Sequence, residues 1–495
     1  MNPLTASREA PARLDSLRSP SAFLAQHLGA APEAAALRAY EAWFEAEGQA
    51  ISDAVDRART PWLRMHDRTG RRVDEILYPP EYWSMLRRGY RAGVIWRALE
   101  EQSLRPAYRL IYLTSFYDPG LSCPYTVSLA TALPLEKYGE PALKQRFLAP
   151  LLRRDDSVWQ GATWMTEIKG GSDLGANVET VARPAGGHWL LTGDKYFASN
   201  AGADLAVVAA RPEGAAQNVR GLALFLLPRR REDGALNYAI RRLKDKIATR
   251  SVPTGEVELR ESQAWLLGPA EQGIYLILEV LNVSRVANSM GSVGVAQRAL
   301  ADAVRFAQER VAFGKPVLEH PLLRRQVEER ARALEAALAL AWEAVELLDE
   351  VWRQRPPYSD RYHLFRLVAH LAKYWTAEFA AQTGKWCMEV HGGLGTLEEY
   401  RVERWLREAM ILAIWEGTAH RQILDGLEVM ERKRAHKLLF QHLAPHAAAD
   451  EARELEARVE AHLKLPPEQR EGAAEPLFRD LAGFSARALA RKRAG

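Results

Sequence analysis

The chain has 495 residues and 67 Lys and Arg against 63 Asp and Glu, a formal net charge of +4. At about 150 residues per domain, this length gives two to four domains or one large multilobed unit. With 47% hydrophobic and 26% charged residues, dominant disorder is excluded, and so small a charge excess excludes a nucleic-acid footprint spread over the whole chain.

Residues 1 to about 160 carry Ala, Leu, Glu and Arg at helical spacing over Ala31–Ile51, Tyr82–Gln102 and Pro141–Leu152. Loops rich in Pro, Gly and Ser, such as Tyr117–Pro124, are expected between them. From about Val158 to Gly268 the period changes to two. Trp189–Phe197 reads as a hairpin turning at Gly193-Asp194, and Leu205–Ala210, Leu222–Leu227 and Glu256–Leu259 read as further short strands. A compact all-β domain is expected there.

After Gly273 the helical period returns. Leu323, Val327, Leu334, Leu338 and Val345 form one apolar stripe, and similar patterns cover about Asn282–Arg310, Tyr362–Glu389 and Val402–Met430. Four long helices pack naturally as an antiparallel bundle, with Pro356-Pro357 breaking the chain between the second and third. The tail from Glu431 is Ala-, Glu- and Arg-rich, with Pro466-Pro467 between two helices. The expected segments are therefore a helical domain over 1–157, a β domain over 158–272, a helical bundle over 273–430 and a helical extension over 431–495. Alternating βαβ units and a Gly-x-Gly-x-x-Gly turn are absent, which argues against a Rossmann domain.

The two cysteines, Cys123 and Cys387, form no Cys-x-x-Cys pair, zinc spacing or disulfide framework, so no metal is expected. The first residues lack a basic-then-apolar signal pattern, and no apolar run approaches the roughly 18 residues that span a bilayer. A reduced, soluble, cytoplasmic protein with no membrane partner is expected.

Four segments can carry chemistry. Trp164-Met-Thr-Glu-Ile-Lys-Gly-Gly-Ser-Asp173 pairs two glycines with Thr, Ser and Asp, so it can turn several backbone N–H groups toward an anion or a polar ring edge. As plain structure it is an interdomain loop. Arg310-Val-Ala-Phe-Gly-Lys-Pro316 sets an Arg beside Phe-Gly, which suits a phosphate and a ring; it equally reads as a basic helix end with a Gly stop. Glu389-Val-His-Gly-Gly-Leu-Gly395 allows close backbone approach to a ligand, or simply a tight turn between helices. Ile414-Trp-Glu-Gly-Thr-Ala419 sets a carboxylate in an apolar run. Burial raises a carboxyl pKa toward the range of a general base, although a Glu in the first turn of a helix is the plainer reading.

Together with Lys195-Tyr-Phe-Ala-Ser-Asn200, these segments resemble the signatures of the acyl-CoA dehydrogenase family, over about Cys123 to Met430. Arg242-Leu-Lys-Asp-Lys-Ile-Ala-Thr-Arg-Ser251 and Met388-Glu-Val-His-Gly-Gly resemble its alkylation-response (AidB-like) branch. The resemblance implies an α+β fold: an N-terminal helical domain, a central β-barrel or sandwich, a C-terminal four-helix bundle and here a short helical extension. It implies FAD as cofactor, an acyl-CoA substrate, an electron-transfer flavoprotein as acceptor and a homotetramer built as a dimer of dimers.

By the same resemblance, Met165 and Thr166 bind the flavin ring, Gly171 and Ser172 the pyrophosphate, and Thr418 the flavin again. Phe197 and Ser199 stand where the family has Trp and Thr. Arg310 and Phe313 and the turn Glu389, Gly392 and Gly393 match residues reaching the FAD of a neighbouring subunit, with Glu389 in place of the usual Gln, and His320 falls at another cofactor position of the family. Glu416 matches the base that removes the α-proton, and Ser172, Trp415 and Gly417 are assigned to the substrate. His391 is given a structural or adenine-edge role, and His420 replaces a common Gln. Trp415 and Trp164 suggest a short or narrow acyl pocket. The alternative is a flavin-containing protein of alkylation stress that binds DNA through its tail. That tail carries 13 basic and 10 acidic residues, its cations clustered at Arg432-Lys-Arg434 and Arg491-Lys-Arg493. Solvated helix ends explain these clusters equally well, and DNA is not favoured.

Overall fold

The computed structural model describes residues 16–494. The N-terminal part is mostly helical, and six of its elements are described. Helix α1 (Gln49–Arg57) precedes a short hairpin of β1 (Trp62–His66) and β2 (Arg72–Leu77), followed by α2 (Pro80–Ala92). Two buried helices, α3 (Arg105–Tyr117) and α4 (Pro119–Tyr138), complete this part. The hairpin lies inside the region expected to be helical. Its strands are short and half-exposed, so they carry little periodic signal.

The segment Tyr117–Pro124, expected as a loop, is instead the junction of α3 and α4. Asp118 caps α4 by accepting from the Leu121 N–H at 2.8 Å, and Pro119 fills the first helical position, where no N–H is needed. The glycine serves packing rather than a turn: a Cβ on Gly120 would lie 2.2 Å from Ser251 Oγ.

The central strands are β3 (Gly161–Trp164), β4 (Val181–Ala185), β5 (His188–Ser199), β6 (Leu205–Pro212), β7 (Ala223–Pro228), β8 (Ala239–Leu243) and β9 (Thr254–Leu266). They form a seven-stranded sheet in the order β3-β6-β4-β5-β9-β7, with β8 also on β9. Pairing of β6 with β7 closes that path into a barrel. The hairpin expected at Gly193-Asp194 does not form. Strand β5 runs straight through, pairing with β9 from Trp189↔Ala264 to Ser199↔Thr254, and Gly193 sits at a shift of register. Its φ of 152° and its approach to Thr180, whose Cα would lie 2.7 Å from a Cβ, require glycine for a bulge instead of a turn.

The bundle is α5 (Gly273–Glu309), α6 (Pro321–Val351), α7 (Asp360–His391), α8 (Val402–Ile414) and α9 (Ala419–Lys433). The fourth helical stretch, expected over about Val402–Met430, is cut at Trp415–Thr418, between α8 and α9. Helix α5 is buried along most of its length and crosses α3 at glycines: a Cβ on Gly294 would lie 2.6 Å from the Tyr112 carbonyl oxygen. That neighbour is backbone and cannot swing away. Gly294→Ala is therefore expected to destabilise the protein by about 1–3 kcal/mol despite alanine's better helix propensity, read as a lower urea midpoint.

The tail adds α10 (Ala435–Leu443), α11 (Ala449–Leu463) and α12 (Ala474–Ala494), packed on the bundle. Buried Glu343 of α6 holds this extension, receiving His442 Nε2 at 2.7 Å and Lys492 Nζ at 2.9 Å.

Candidate active site

The break between α8 and α9 turns on two residues with positive φ, Glu416 at 58° and Gly417 at 98°. A left-handed conformation is disfavoured for Glu and persists only where its surroundings hold it. Here they do. The Glu416 carbonyl accepts from Arg285 Nε at 3.2 Å and Gln422 Nε2 at 3.0 Å. The Gly417 carbonyl accepts from Lys373 Nζ at 2.7 Å and again from Gln422 at 3.0 Å. Three elements, α5, α7 and α9, thus supply the clamp.

The clamp uses only main-chain oxygens, which leaves the Glu416 carboxyl outside these bonds. Burial pushes its pKa up to about 7, opposed by the positive charges of Arg285 and Lys373. The flanking Trp415 is partly buried against Cys123 and Val127 of α4 and Val252 of the loop before β9. Beside the turn, then, lies a small apolar cluster contributed by three segments.

Val252 leads to the second half of the site. Lys246 Nζ donates to the Val252 carbonyl at 2.8 Å and to Thr254 Oγ1 at 3.0 Å, and Thr254 lies 3.2 Å from Ser199 Oγ at the end of β5. Next to Ser199, the Phe197 ring stands 53% exposed. The Tyr196 N–H donates to the Thr166 carbonyl at 3.0 Å, which sets the Met165–Thr166 segment beside the same strand end. Gly171 completes the group, since a Cβ there would lie 2.4 Å from Thr166 Oγ1.

This loop is anchored from beneath. Glu167 accepts from the Glu179 and Thr180 N–H groups at 2.7 and 3.2 Å, from Thr180 Oγ1 at 2.6 Å, and from buried Lys195 Nζ at 2.6 Å. Lys195 lies on β5 and the other donors immediately precede β4, so the barrel helps to fix the loop's shape. Trp164 does not face an acyl pocket. Its ring is packed edge-on against Tyr238 in the barrel core and its Nε1 donates to the Ser199 carbonyl at 2.9 Å, so the narrow-pocket expectation keeps only Trp415.

Arg310, Phe313, His320, Glu389, Gly392 and Gly393 lie elsewhere. Arg310 caps α5 about 37 Å along that helix from Arg285, at about 1.5 Å per residue. Phe313 is 96% exposed at the tip of a two-residue hairpin turn, where Phe313 and Gly314 both take positive φ. His320 Nε2 lies 3.1 Å from the Ala312 carbonyl, supporting that hairpin. Glu389 is exposed and paired with Lys385 at 2.5 Å. Gly392 and Gly393 open on free space where a Cβ would be. His391 is buried, stacked on Phe306 at 4.2 Å, with Nδ1 donating to the Cys387 carbonyl. One protomer therefore does not bring this group to Glu416. Ser172 and Thr418 are exposed, on the glycine loop and just after Gly417.

Arg285, Lys373 and Gln422 were not among the residues singled out from the sequence. Their signal is a charged or amide side chain on the buried face of its helix, visible once the burial is known.

A barrel with its own core beside N- and C-terminal helices that pack on each other, with a desolvated carboxyl on a strapped turn and an exposed aromatic at a strand end, defines a class. The model of the acyl-CoA dehydrogenase middle domain matches residues 162–262, that of its C-terminal domain 271–430, and that of the Adaptive response protein AidB N-terminal domain 20–156. The chain belongs to the acyl-CoA dehydrogenase family, with an N-terminal domain of the AidB type. It is 32% identical to the putative acyl-CoA dehydrogenase AidB of Escherichia coli K12 over 389 residues, 75% of this chain and 70% of that one. The apo-form of Bd2924 superimposes with a TM-score of 0.85 at 29% identity, covering 98% of this chain and 97% of that one. Caenorhabditis elegans ACDH-11, solved in complex with C11-CoA, gives a TM-score of 0.83 at 26% identity, covering 98% of this chain and 86% of that one. Among the described residues no helix is long and apolar enough to cross a membrane.

Proposed function

We propose that the protein is an FAD-dependent oxidoreductase that dehydrogenates an acyl-CoA thioester between its α and β carbons, with Glu416 as the base. The observation that carries this reading is the Glu416 turn itself. A carboxyl is held in a left-handed break by bonds that leave it free, and burial brings its pKa to about 7, where it can accept a proton at neutral pH.

The residues present fit a flavin. Phe197 offers a half-exposed aromatic ring, Ser199 a hydroxyl and Gly170-Gly171-Ser172 an accessible loop of backbone. Met165, Thr166, Phe197, Ser199 and Thr418 would hold the ring, and Gly171 and Ser172 the pyrophosphate. FAD supplies the two-electron acceptor for the hydrogen that leaves the β carbon. The chain's own part is to take the α-proton on the Glu416 carboxylate. Backbone N–H at Glu416 would polarise the thioester carbonyl, and Trp415 with Gly417 would line the acyl end and exclude water.

Phe313, Arg310, His320, Glu389, Gly392 and Gly393 would serve the FAD of a neighbouring subunit. Their distance from Glu416 along α5 and the bare Phe313 ring support a homo-oligomer whose copies complete each other's sites, a dimer of dimers in the family pattern. An electron-transfer flavoprotein is the proposed acceptor and the cytoplasm the proposed compartment. DNA binding through the tail has less support, because four of its six clustered cations are ion-paired: Arg432 with Glu428, Arg434 with Glu460, Lys492 with Glu343 and Arg493 with Glu346.

Anaerobic mixing of the purified flavoprotein with a panel of acyl-CoA thioesters tests the reading. At least one thioester should bleach the flavin, with a rate that falls as pH drops below about 7, because Glu416 is protonated there. A flavin that no thioester reduces at any pH would overturn it.

A further inference from the structure

We propose that Lys373 is a positioning residue for Glu416: its buried ammonium ties the two carbonyls that flank the helix break and sets the proton affinity of the carboxyl between them. The inference rests on the dehydrogenase reading and deepens it. Lys373 lies on α7 and is 1% exposed. Its Nζ donates to the Ala413 carbonyl at 2.9 Å, in the last turn of α8, and to the Gly417 carbonyl at 2.7 Å, across the break. Carbonyls in a last helical turn lack intrahelical partners, so a donor there is useful structurally.

A charge is not needed for that. The amide of Gln422 already serves the Glu416 and Gly417 carbonyls, and burying an ammonium costs several kcal/mol unless an opposite charge answers it. The groups around Glu416 show which one does. Arg285 of α5 is answered by Asp425 at 3.0 Å, and Asp425 is also held by Arg421 of the same helix, α9. His370 of α7 bonds Gln422 and is kept neutral by burial. Cys123 faces the turn from α4 as a buried thiol. Glu378, further along α7, acts on Lys373 more weakly than Glu416 does. Lys373, bonded only to carbonyls and with no carboxylate partner of its own, therefore acts on Glu416 together with Arg285, whose charge Asp425 already answers. Burial pushes Lys373 down to about 7, and the negative charge of Glu416 does most to hold it up. The two groups therefore sustain each other's ionised forms.

The experiment compares wild type, K373M, K373R and E416Q as flavin-loaded full-length proteins. Two quantities are read: the pH profile of acyl-CoA-driven flavin reduction, and the pH titration of the Glu416 carboxyl by infrared difference spectroscopy, its band assigned from its loss in E416Q. Without the ammonium the protonated acid is favoured, so K373M should raise both midpoints by about one pH unit. Reduction at pH 6 then slows about tenfold, while the alkaline plateau stays within about threefold. K373R, which keeps the charge, should titrate close to wild type. Unchanged midpoints in K373M, with E416Q inactive, would overturn this inference alone. An E416Q protein reduced at full rate would instead overturn the assignment of the base, and the infrared titration would still decide the role of Lys373. Should K373M not fold, K373Q keeps a donor without the charge and carries the same comparison.

Discussion

Glu416→Gln is expected to leave a folded, yellow protein whose reduction by acyl-CoA is slower by about 10²–10⁴-fold, the usual worth of a positioned general base. The turn should survive the change. Its straps from Arg285, Lys373 and Gln422 run to the carbonyls of Glu416 and Gly417 and not to the carboxyl, so Gln can occupy the same left-handed position. Flavin content and thermal stability should therefore match wild type, and only the proton-accepting group is lost. Because Gln does not titrate, the fall in rate below pH 7 should vanish along with most of the rate. Stopped-flow reduction under anaerobic conditions measures both effects. A variant that reduces at the wild-type rate would remove Glu416 from the chemistry.

The largest expected loss of stability comes from Arg404→Met. Arg404 of α8 is 2% exposed and surrounded by carboxylates: Asp53 at 3.3 Å, Asp118 at 3.5 Å, Glu408 at 3.6 Å and Asp56 at 3.8 Å. These acids come from α1, from the cap of α4 and from α8 itself. Glu408 also receives the Thr249 N–H on both oxygens, at 3.1 and 3.0 Å, which ties in the loop that leads to Val252. Removing the guanidinium leaves several negative charges buried together, and breaking such a network costs about 3–5 kcal/mol.

The effect should depend on pH with a definite sign. Burial already pushes Glu408 up to about 7, against the opposing charge of Arg404 and with help from Asp56 and Asp118. Without Arg404 the folded state holds protons more tightly than the unfolded state, so stability falls as pH rises. The deficit against wild type should widen from pH 5 to pH 8 in urea titrations. A variant as stable as wild type at pH 8 would mean that the acids are not held in common by Arg404.

How much of this was legible beforehand varies by segment. The barrel strands and bundle helices are readable because their apolar residues recur at fixed periods. The exceptions share a cause. Tyr117–Pro124 has the composition of a loop, yet Asp118 and Pro119 are a helix start, and Gly120 is small because Ser251 lies against it. Gly193-Asp194 has the composition of a turn, yet β9 is long enough to pair both of its sides. In each case a local signal was correct about flexibility or size and silent about the partner that used it.

The candidate site divides in the same way. The Trp-Met-Thr-Glu, Phe-Gly, His-Gly-Gly and Trp-Glu-Gly-Thr segments are visible as short runs, and they suffice to point to a family and to Glu416. Nothing in those runs shows that the helix breaks at Glu416 or that Lys373, 2.7 Å from the Gly417 carbonyl, helps to hold the break. Nor do they show that Trp164 is spent in the barrel core while Trp415 faces Cys123 and Val252.

Amino-acid order alone thus determined which backbone periods arise and which reactive groups are available, since both depend on near neighbours in the chain. Burial, strap and charge environment were decided only on folding. A carboxyl's proton affinity depends on the water it loses and the cations it meets, and for Glu416 those cations arrive from two other helices.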